Sequence, residues 1–186
     1  MENLQKDNIA KVKTNAVKNK MDEWYTPKFI VNRMEETFNL KFDYDPATTK
    51  KQAEYLGIKN FDTEETNSLN KVWWYKNIWL NPPFSLKRAF LEKAVDQFNL
   101  INMENMFILI PEYTMTNVYV GDLLDRLNGN LNIIFLKGRL QFETLGSNTD
   151  YKDLKIYKMK SPIFGSIILH FSRKFDYRIK FLSSKI

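Results

Sequence analysis

The hydrophobic pattern of the chain divides into short apolar runs and amphipathic stretches that alternate with them. Near-continuous apolar runs at 78–80, 106–110, 131–136 and 163–171 predict strands buried in a sheet, because a strand covered on both faces carries apolar side chains at successive positions. Residues 175–181 alternate apolar with charged side chains, which is typical of a half-exposed terminal strand.

Helical periodicity appears between these runs. Thr26-Pro27 predicts a helix start, with Thr26 as the N-cap and Pro27 at the first helical position, and an apolar face then recurs every four residues as far as Asn39. Residues 86–100 and 120–127 carry similar apolar stripes. Strands that alternate with helices and end in strands predict an α/β fold, with a mixed sheet flanked by helices.

A short strand is predicted at 41–47, where aromatic side chains alternate with Asp43 and Asp45 before a proline breaks the pattern. Thr48 or Thr49 is then placed to cap a helix. The tryptophans at 73, 74 and 79 cluster ahead of the next strand, and we expect at least two of them to line the core.

Two polar stretches, 61–71 and 143–161, are predicted to be loops. The second exceeds the length above which a loop is usually functional or disordered, about 12–15 residues. Residues 1–20 have no clean periodicity and no aromatic side chain, so we interpret them as a flexible basic arm. Residues 21–186 then form a single domain that includes the basic loop at about 143–161.

Composition removes several classes of protein. The chain has 186 residues, 44% of them hydrophobic, but no apolar run approaches the roughly 20 residues of a membrane span. It has no cysteine, which excludes disulfides, cysteine-bound zinc and the thiolate nucleophile that methylation of a cytosine ring carbon requires. His170 is the single histidine, and its position in a predicted strand indicates packing, so we expect no metal site.

Positive charge is unevenly distributed within the net charge of +6. Residues 1–20, 137–160 and 173–186 are basic, and the remainder of the chain is acidic. Basic flanks favour a polyanionic partner, because attraction to phosphates does not depend on sequence. The candidate nucleic-acid contacts are basic side chains of these flanks and of the outward face of helix 86–100: Lys11, Lys13, Lys18, Lys20, Lys87, Arg88, Lys137, Arg139, Lys152 and Lys155.

The strongest chemical signal is Asn81-Pro82-Pro83-Phe84. Neither proline donates a backbone hydrogen bond, so the strand ends here, and the residue before a proline is held extended with its side chain beyond the strand end. The Asn81 side-chain oxygen and the Pro82 carbonyl suit the two protons of a planar amine, and Phe84 suits stacking on an extruded base. We take these four residues as the candidate catalytic set, with Pro83 making the turn rigid.

Six blocks, in this order along the chain, resemble one family. They are Glu23-Trp24-Tyr25-Thr26-Pro27, Asp43-Tyr44-Asp45-Pro46-Ala47, Ile78-Trp79-Leu80-Asn81-Pro82-Pro83-Phe84, Ile108-Leu109-Ile110-Pro111, Phe135-Leu136-Lys137-Gly138-Arg139-Leu140 and Pro162-Ile163-Phe164-Gly165-Ser166. The order is similar to that of the compact phage-type DNA adenine-N6 methyltransferases, a Dam-related group. The resemblance implies a compact Rossmann-like methyltransferase fold, S-adenosylmethionine as methyl donor, and duplex DNA with a flipped adenine as substrate.

The resemblance also implies a cofactor side formed by the first two blocks: Trp24, Tyr25, Thr26, Pro27, Asp43, Asp45, Pro46 and Ala47. Thr48-Thr49 stand where the family carries glycines. The chain begins with polar, lysine-rich residues and not with a secretory signal. We therefore expect a cytoplasmic protein, in the host cytoplasm if a phage encodes it, and no membrane partner.

Two alternative functions stay open at this point. Asn-Pro-Pro-aromatic motifs also serve methyltransferases that act on RNA bases or protein glutamine, and basic flanks argue against a protein substrate without separating RNA from DNA. The glycine-free Thr48-Thr49 segment also allows a degenerate member that binds nucleic acid or a host protein without methylating it. Nucleoside analysis of the product separates the first alternative, and calorimetric titration with S-adenosylmethionine separates the second.

Overall fold

A computed structural model of the chain describes residues 24–101, 103–145, 156–158 and 162–185. Its helices are α1 (Lys28–Phe38), α2 (Lys50–Leu56), α3 (Lys87–Leu100) and α4 (Val118–Asp125). Its strands are β1 (Tyr44–Asp45), β2 (Asn60–Phe61), β3 (Asn77–Leu80), β4 (Asn105–Pro111), β5 (Leu131–Lys137), β6 (Glu143–Leu145), β7 (Ile156–Lys158), β8 (Ser166–Ser172) and β9 (Ile179–Ser183). No helix in these ranges is long and apolar enough to cross a membrane.

Seven strands form one mixed sheet in the order β2-β1-β3-β4-β8-β5-β9. The first four are parallel, β8 is antiparallel to both of its neighbours, and β9 is parallel to β5. Tyr44 of β1 lies opposite Ile78 of β3, and Leu80 lies opposite Ile108 of β4, so the parallel strands end near one edge of the sheet. The predicted α/β class with a mixed sheet is confirmed.

Two hydrophobic clusters sandwich the sheet, because successive side chains of a strand point to opposite faces. Ile78 and Leu80 of β3 join the cluster that contains α3 and α4. Trp79, between them, joins the cluster that contains α1 and the end of α2. The molecule therefore has three layers. Trp73 and Trp79 are fully buried, whereas Trp74 is 75% exposed, so the prediction that two tryptophans line the core is confirmed.

The first helix starts one residue later than predicted. Pro27 is itself the N-cap, with an extended backbone at φ −63° and ψ 132°, and no side chain caps the helix. Thr26 is buried ahead of it, and its carbonyl accepts a hydrogen bond from Gln52 Nε2 at 2.9 Å. The predicted end is correct, since Asn39 adopts a left-handed conformation at φ 50°. Of the two predicted caps of α2, Thr49 is the one that caps the helix, since its hydroxyl accepts the Gln52 N–H.

Both segments that were predicted to be loops contain secondary structure, which their polar composition did not indicate. In 61–71, residues 68–70 form a 3-10 turn that contains buried Ser68. The Ser68 hydroxyl donates to the Pro46 carbonyl at 2.6 Å, and the Ser68 carbonyl accepts the Trp73 indole N–H. In 143–161, the two ends pair as the antiparallel strands β6 and β7. Residues 146–155 and 159–161 of that predicted loop lie outside the described residues.

In residues 175–181 the apolar side chains do not all lie on one face of the sheet, although they alternate regularly with charged side chains in the sequence. Arg178 has a left-handed backbone, with φ at 57°, because Asn132 Oδ1 accepts both the Tyr177 and the Arg178 N–H at 2.9 Å. Tyr177 consequently packs on the α1 side of the sheet. Ile179 and Phe181, expected on the same face, are 57% and 58% exposed. The terminal strand is half-exposed as predicted, but its outer face is the apolar one.

A polar network closes the amino edge of the sheet. Asn105 Nδ2 donates to Asn77 Oδ1 at 2.8 Å, and Asn105 Oδ1 accepts the Ser172 hydroxyl at 3.1 Å. His170 contacts the same oxygen through Nε2 at 3.1 Å and stacks on Phe107 with ring centroids 4.0 Å apart. Its burial confirms the predicted packing role.

Candidate active site at the carboxyl edge of the sheet

The opposite, carboxyl edge contains a topological switch point. From β1 the chain passes to β2 on one side and returns to β3 on the other side. Open α/β sheets bind ligands in the crevice outside the carboxyl ends of the two strands at such a switch point, which here are β1 and β3. Asp45 ends β1 and Asn81 follows β3, so the sequence delivers an acid and an amide to this crevice.

Asn81 is fixed in one orientation by the segment that precedes α1. Its Nδ2 donates to the Trp24 carbonyl at 3.1 Å. With the nitrogen held there, the amide presents Oδ1 as its acceptor. Pro82 is buried beside it, and the Pro83 carbonyl accepts the Leu86 N–H at 3.0 Å, which starts the 3-10 turn Phe84–Leu86. The structure thus brings the four candidate catalytic residues together and adds Trp24 to them.

Residues 24–27, which we call the crossing segment, are tied to the rest of the fold by backbone contacts. Tyr25 and Glu143 exchange two backbone hydrogen bonds of 2.9 and 3.0 Å. The carbonyls of Trp24 and Thr26 accept from Asn81 and Gln52, as described above. The segment therefore crosses the carboxyl edge from β3 to α2, which places the predicted cofactor residues of the first block at the crevice.

Aromatic rings from distant parts of the sequence surround Phe84. The Trp24 ring lies 5.8 Å from Phe84, 5.3 Å from Phe142 and 6.2 Å from Phe164, measured between centroids. Tyr113 approaches Phe164 at 5.4 Å. A small pocket has this lining: Asn81, Pro82, Phe84, Lys87, Leu109, Ile110, Pro111 and Phe142. The catalytic motif therefore opens onto a pocket with aromatic walls.

The position of Phe164 depends on the glycine that follows it. Gly165 N donates to Glu112 Oε1 at 3.0 Å, and the Glu112 N–H donates to the Gly165 carbonyl at 3.1 Å. A Cβ on Gly165 would lie 2.0 Å from Glu112 Oε2, so a larger residue displaces this contact. Phe142, Phe164, Tyr113 and Glu112 were missed by sequence reasoning, although Phe164-Gly165 lies in a block of the family resemblance.

Asp45 is the buried acid of the crevice. It is 2% exposed, and its Oδ1 accepts the Ala47 N–H at 3.0 Å. Burial raises the pKa of its carboxyl from 3.8 to about 7, and the hydrogen bond from Ala47 only partly opposes this shift. A desolvated carboxyl at a ligand-binding edge is typical of functional sites, and a cationic ligand would favour its ionised form.

Asp43 lies at the other end of the same strand, which corrects its expected place on the cofactor side. Its Oδ1 accepts the Asn77 N–H at 3.0 Å, and its Oδ2 accepts the Lys76 N–H at 3.2 Å. Both carboxylate oxygens therefore hold the chain ahead of β3, at the amino edge. Of the second block, only Asp45 and the Pro46-Ala47 turn after it lie at the carboxyl edge.

Two polar residues that the sequence did not single out also face this edge. Gln52 is buried in the first turn of α2, and its Oε1 has no hydrogen-bond partner within the part of the chain that the structure describes. Asp62 follows β2, accepts the Tyr44 hydroxyl and pairs with Lys71. Burial opposes its ionisation, but these contacts lower the pKa of Asp62, so it is charged at neutral pH.

The structure describes four of the ten predicted nucleic-acid contacts. Lys137 is the last residue of β5 and Arg139 follows the strand, and both are exposed. Because β5 runs parallel to β4, they lie toward the carboxyl edge. Arg88 is exposed and pairs with Glu92 at 2.8 Å. Lys87 is half-buried in the pocket, which corrects its expected outward position. The remaining six lie outside the described residues: Lys11, Lys13, Lys18, Lys20, Lys152 and Lys155.

Several known proteins resemble this chain. The profile of one family, DNA N-6-adenine-methyltransferase (Dam), matches residues 13–184. A DNA N-6-adenine-methyltransferase of Haemophilus phage HP1 is 34% identical over 97 residues, which are 52% of this chain and 54% of that protein. Another, of Escherichia phage T1, is 36% identical over 89 residues, which are 47% of this chain and 35% of that protein.

The chain thus spans about half of the first relative and about a third of the second. A solved structure from Listeria monocytogenes, described as a candidate class I S-adenosylmethionine-dependent methyltransferase, aligns with a TM-score of 0.44 and 12% identity, over 83% of this chain and 53% of that one. The family profile covers nearly all of the sequence, including every element that builds the carboxyl edge. The chain therefore belongs to the DNA N-6-adenine-methyltransferase (Dam) family.

Proposed function

We propose that this chain transfers a methyl group from S-adenosylmethionine to the exocyclic N6 amine of adenine in DNA. Family membership and the Asn81-Pro82-Pro83-Phe84 site at the switch point support this activity. The observation that carries it is the hydrogen bond from Asn81 Nδ2 to the Trp24 carbonyl, because it commits the amide oxygen to the pocket side as an acceptor.

The pocket suits a planar amine because it offers acceptors at the end of β3. Asn81 Oδ1 and the Pro82 carbonyl would each accept one N–H of the adenine amine, which favours a pyramidal nitrogen and frees its lone pair for attack. The nitrogen would gain the methyl group as the sulfur–methyl bond breaks and S-adenosylhomocysteine leaves, and it would then release its proton to water. The step therefore needs orientation more than it needs a strong base. No thiolate takes part, since the chain has no cysteine.

The aromatic walls suit a base removed from the helix. An enzyme that modifies a base inside a duplex extrudes the nucleotide and stacks the base between aromatic side chains, at a cost of a few kcal/mol. Phe84 and Phe142 line the cavity that contains Asn81, and Trp24 contacts both rings. These rings would fix the plane of the adenine while the amide holds its amine.

The polar groups beside the pocket fit S-adenosylmethionine. That cofactor supplies an electrophilic methyl group, and it carries an ammonium group and ribose hydroxyls that need acceptors. The crevice offers acceptors in buried Asp45, in Gln52 Oε1, and in ionised Asp62. Pro46, Ala47 and the crossing segment complete this side of the site. Asp43 is not part of the proposed cofactor set, because backbone N–H groups at the amino edge hold its carboxylate.

DNA is the proposed partner because basic side chains flank the same edge. Lys137 and Arg139 are exposed at the end of β5 and are available to phosphates. Such contacts position a duplex without reading its sequence. The basic arm at residues 1–20 and the segment at about 143–161 are further proposed contacts, and they also belong to the basic flanks of the sequence.

The cofactor loop gives no reason to prefer a degenerate, non-catalytic protein. Thr49 has φ −107°, a value open to any residue, and it caps α2 through its hydroxyl. Thr48 N donates to the Asp62 carbonyl at 3.0 Å, which joins the ends of β1 and β2. The positions where the family carries glycine therefore do not require glycine here.

The test is expression of the chain in cells that lack adenine methyltransferases of their own, followed by digestion of DNA and RNA to nucleosides. N6-methyl-2′-deoxyadenosine from the DNA, with no new methylated nucleoside from the RNA, is the expected result, and it should be absent with Asn81→Ala. A methylated nucleoside in RNA, or a different base in DNA, would replace the proposed substrate. Unmodified nucleic acid together with no heat in a titration with S-adenosylmethionine would overturn the proposed activity. Single-molecule sequencing of the same DNA then gives the target sequence.

A further inference from the structure

Lys87 occupies an unusual place for the first residue of a surface helix. Its Nζ donates to Thr114 Oγ1 at 3.0 Å and lies 5.8 Å from the Phe84 ring centroid and 5.1 Å from that of Tyr113. The side chain is half-buried and lines the pocket that also contains Asn81. An ammonium group therefore stands among aromatic rings at the proposed target amine.

The neighbouring residue shows what an ordinary surface cation does on this helix. Arg88 is exposed and forms an ion pair with Glu92 one turn later. No carboxylate lies within ion-pair distance of Lys87 in the described part of the chain, and burial alone lowers the pKa of its ammonium group. A partly desolvated cation without an opposite charge is costly. A ligand acceptor at this position would offset that cost.

The base proposed for this pocket carries such acceptors. In adenine, the ring nitrogens N1 and N7 flank the exocyclic amine, one on each side. If Asn81 and Pro82 hold the amine, one of these nitrogens faces the pocket lining beside it. Lys87 is the cationic donor in that lining, and Thr114 keeps its Nζ in place without neutralising it.

We propose that Lys87 reads the target base, by donating a hydrogen bond from its ammonium group to the ring nitrogen of adenine that lies next to the reacting amine. The inference rests on the proposed function and adds a specificity-determining contact to it. A base without an acceptor at that position would leave the cation unpaired, and sites built to hydrogen-bond a substrate reject analogues that lack the partner atom. Lys87 then selects the base, whereas phosphate contacts fall to exposed residues such as Arg88.

The experiment combines atomic changes in the base with changes at Lys87. Duplexes with the mapped target sequence carry adenine, 1-deazaadenine, 7-deazaadenine or, as a matched control remote from the amine, 3-deazaadenine. Wild type, Lys87→Met, Lys87→Arg and the control Lys76→Met are compared by kcat/KM at saturating S-adenosylmethionine. Lys76 is an exposed lysine at the amino edge that pairs with Glu104 at 3.2 Å. Loss of a hydrogen bond to a charged group predicts about a 10- to 150-fold fall for the wild type on one of the first two analogues.

The decisive reading is the coupling between the two changes. On adenine, the kcat/KM of Lys87→Met should fall below that of the wild type by about the factor that the wild type loses on the sensitive deaza analogue. On that analogue, Lys87→Met should show little further loss of kcat/KM. Lys87→Arg, which keeps a donor, should recover part of the activity, and Lys76→Met should stay near wild type. Thermal unfolding shows whether Lys87→Met is folded, and the analogue series on the wild type needs no variant.

Three results would overturn this role for Lys87. The wild type could accept both the 1-deaza and the 7-deaza base with unchanged kcat/KM. The fall in kcat/KM caused by the Lys87 variant and the fall caused by the base analogue could multiply, as expected for two independent changes. Lys87→Met could weaken every duplex equally and lower the slope of log K against log salt by about one, which indicates a phosphate contact. Failure of the proposed function looks different, because the wild type would then methylate no adenine at all.

Discussion

The two edges of the sheet carry the same residue types in different environments. At the amino edge, Asp43 accepts two backbone N–H groups, and Asn105 shares hydrogen bonds with its neighbours through both ends of its amide. At the carboxyl edge, Asp45 is desolvated with a raised pKa. Gln52 Oε1 there has no partner among the described residues.

We interpret this contrast as a division between polar groups that stabilise the fold and polar groups left available to a ligand. Native proteins pair almost all of their buried polar atoms, so an unpaired one calls for an explanation. Local rules of folding are typically broken at functional sites, which are stabilised by contacts made elsewhere. The amino edge supplies such contacts, and the carboxyl edge presents the groups that a ligand can pair.

The largest effect should come from Asn81 at the carboxyl edge. Asn81→Ala removes an acceptor proposed to act in the transition state, so kcat should fall on the order of 10²–10³-fold, more than KM rises. Binding of S-adenosylmethionine, measured by titration calorimetry, should stay close to wild type. Steady-state kinetics on the mapped duplex gives the first quantity. Turnover at the wild-type rate would end the role assigned to this motif.

Asp45 and Asp43 offer the sharpest matched pair, since they stand two residues apart. Asp45→Asn removes an acceptor proposed to contact the cofactor, and we expect S-adenosylmethionine to bind about 10- to 150-fold more weakly. Asp43→Asn should leave that affinity unchanged and lower the melting temperature instead. Equal effects of the two variants on cofactor affinity would contradict the division between the edges.

The pH dependence gives a second measurement of Asp45. Its folded pKa of about 7 lies above the ordinary value of 3.8, so the folded state holds this proton more tightly than the unfolded state does. The associated stabilisation is complete below about pH 4 and is lost as pH rises through about 7. Cofactor affinity should change in the opposite direction, rising as the carboxyl ionises. Both trends should flatten in Asp45→Asn.

At the amino edge the expected effect is on stability and not on catalysis. Asn105→Ala leaves the partners of a buried amide unpaired, which costs about 1–3 kcal/mol. For a chain of this size the melting temperature should fall by about 2–4 °C for each kcal/mol. Turnover per folded molecule should match wild type. A large loss of kcat without a change in melting temperature would show that this network reaches the site.

Sequence reasoning predicted the motif and the frame around it, because these follow from local rules. Continuous apolar runs gave β3, β4, β5 and β8, and the paired prolines marked where β3 ends. The position of Asn81 was predicted because a residue that precedes a proline at a strand end has few allowed backbone conformations. The order of the blocks also indicated the family, which the match over residues 13–184 bears out.

The features that were missed depend on contacts between distant residues. Asp43 and Asp45 are indistinguishable by pattern, and only the Lys76 and Asn77 N–H groups, more than thirty positions away, make the first one structural. Phe164 joins the site because Gly165 accepts the close approach of Glu112. Arg178 reverses the faces of the last strand because Asn132 binds two adjacent N–H groups. No window of sequence contains these partners.

The smallest expected effect concerns His170, and it tests the amino edge directly. Burial lowers the pKa of its imidazole from 6.5 to about 3. Tyr177 and Asn105 contact its two ring nitrogens, and Phe38, Phe107 and Phe175 pack around the ring. Because His170 is the single histidine, its NMR signal needs no assignment, and it should not titrate between about pH 5 and 8.

The linked stability has the opposite sign to that of Asp45. The unfolded chain binds a proton at His170 below about pH 6.5 and the folded chain does not, so this contribution to stability is full above pH 6.5 and declines as pH falls toward 3. His170→Phe keeps a ring to stack on Phe107 and should remove this slope in thermal unfolding measured between about pH 6.5 and 5. A wild-type signal that titrates near pH 6.5 would mean that water reaches this edge. The network of Asn105 and Ser172 would then be open, and the contrast between the two edges would fail on its structural side.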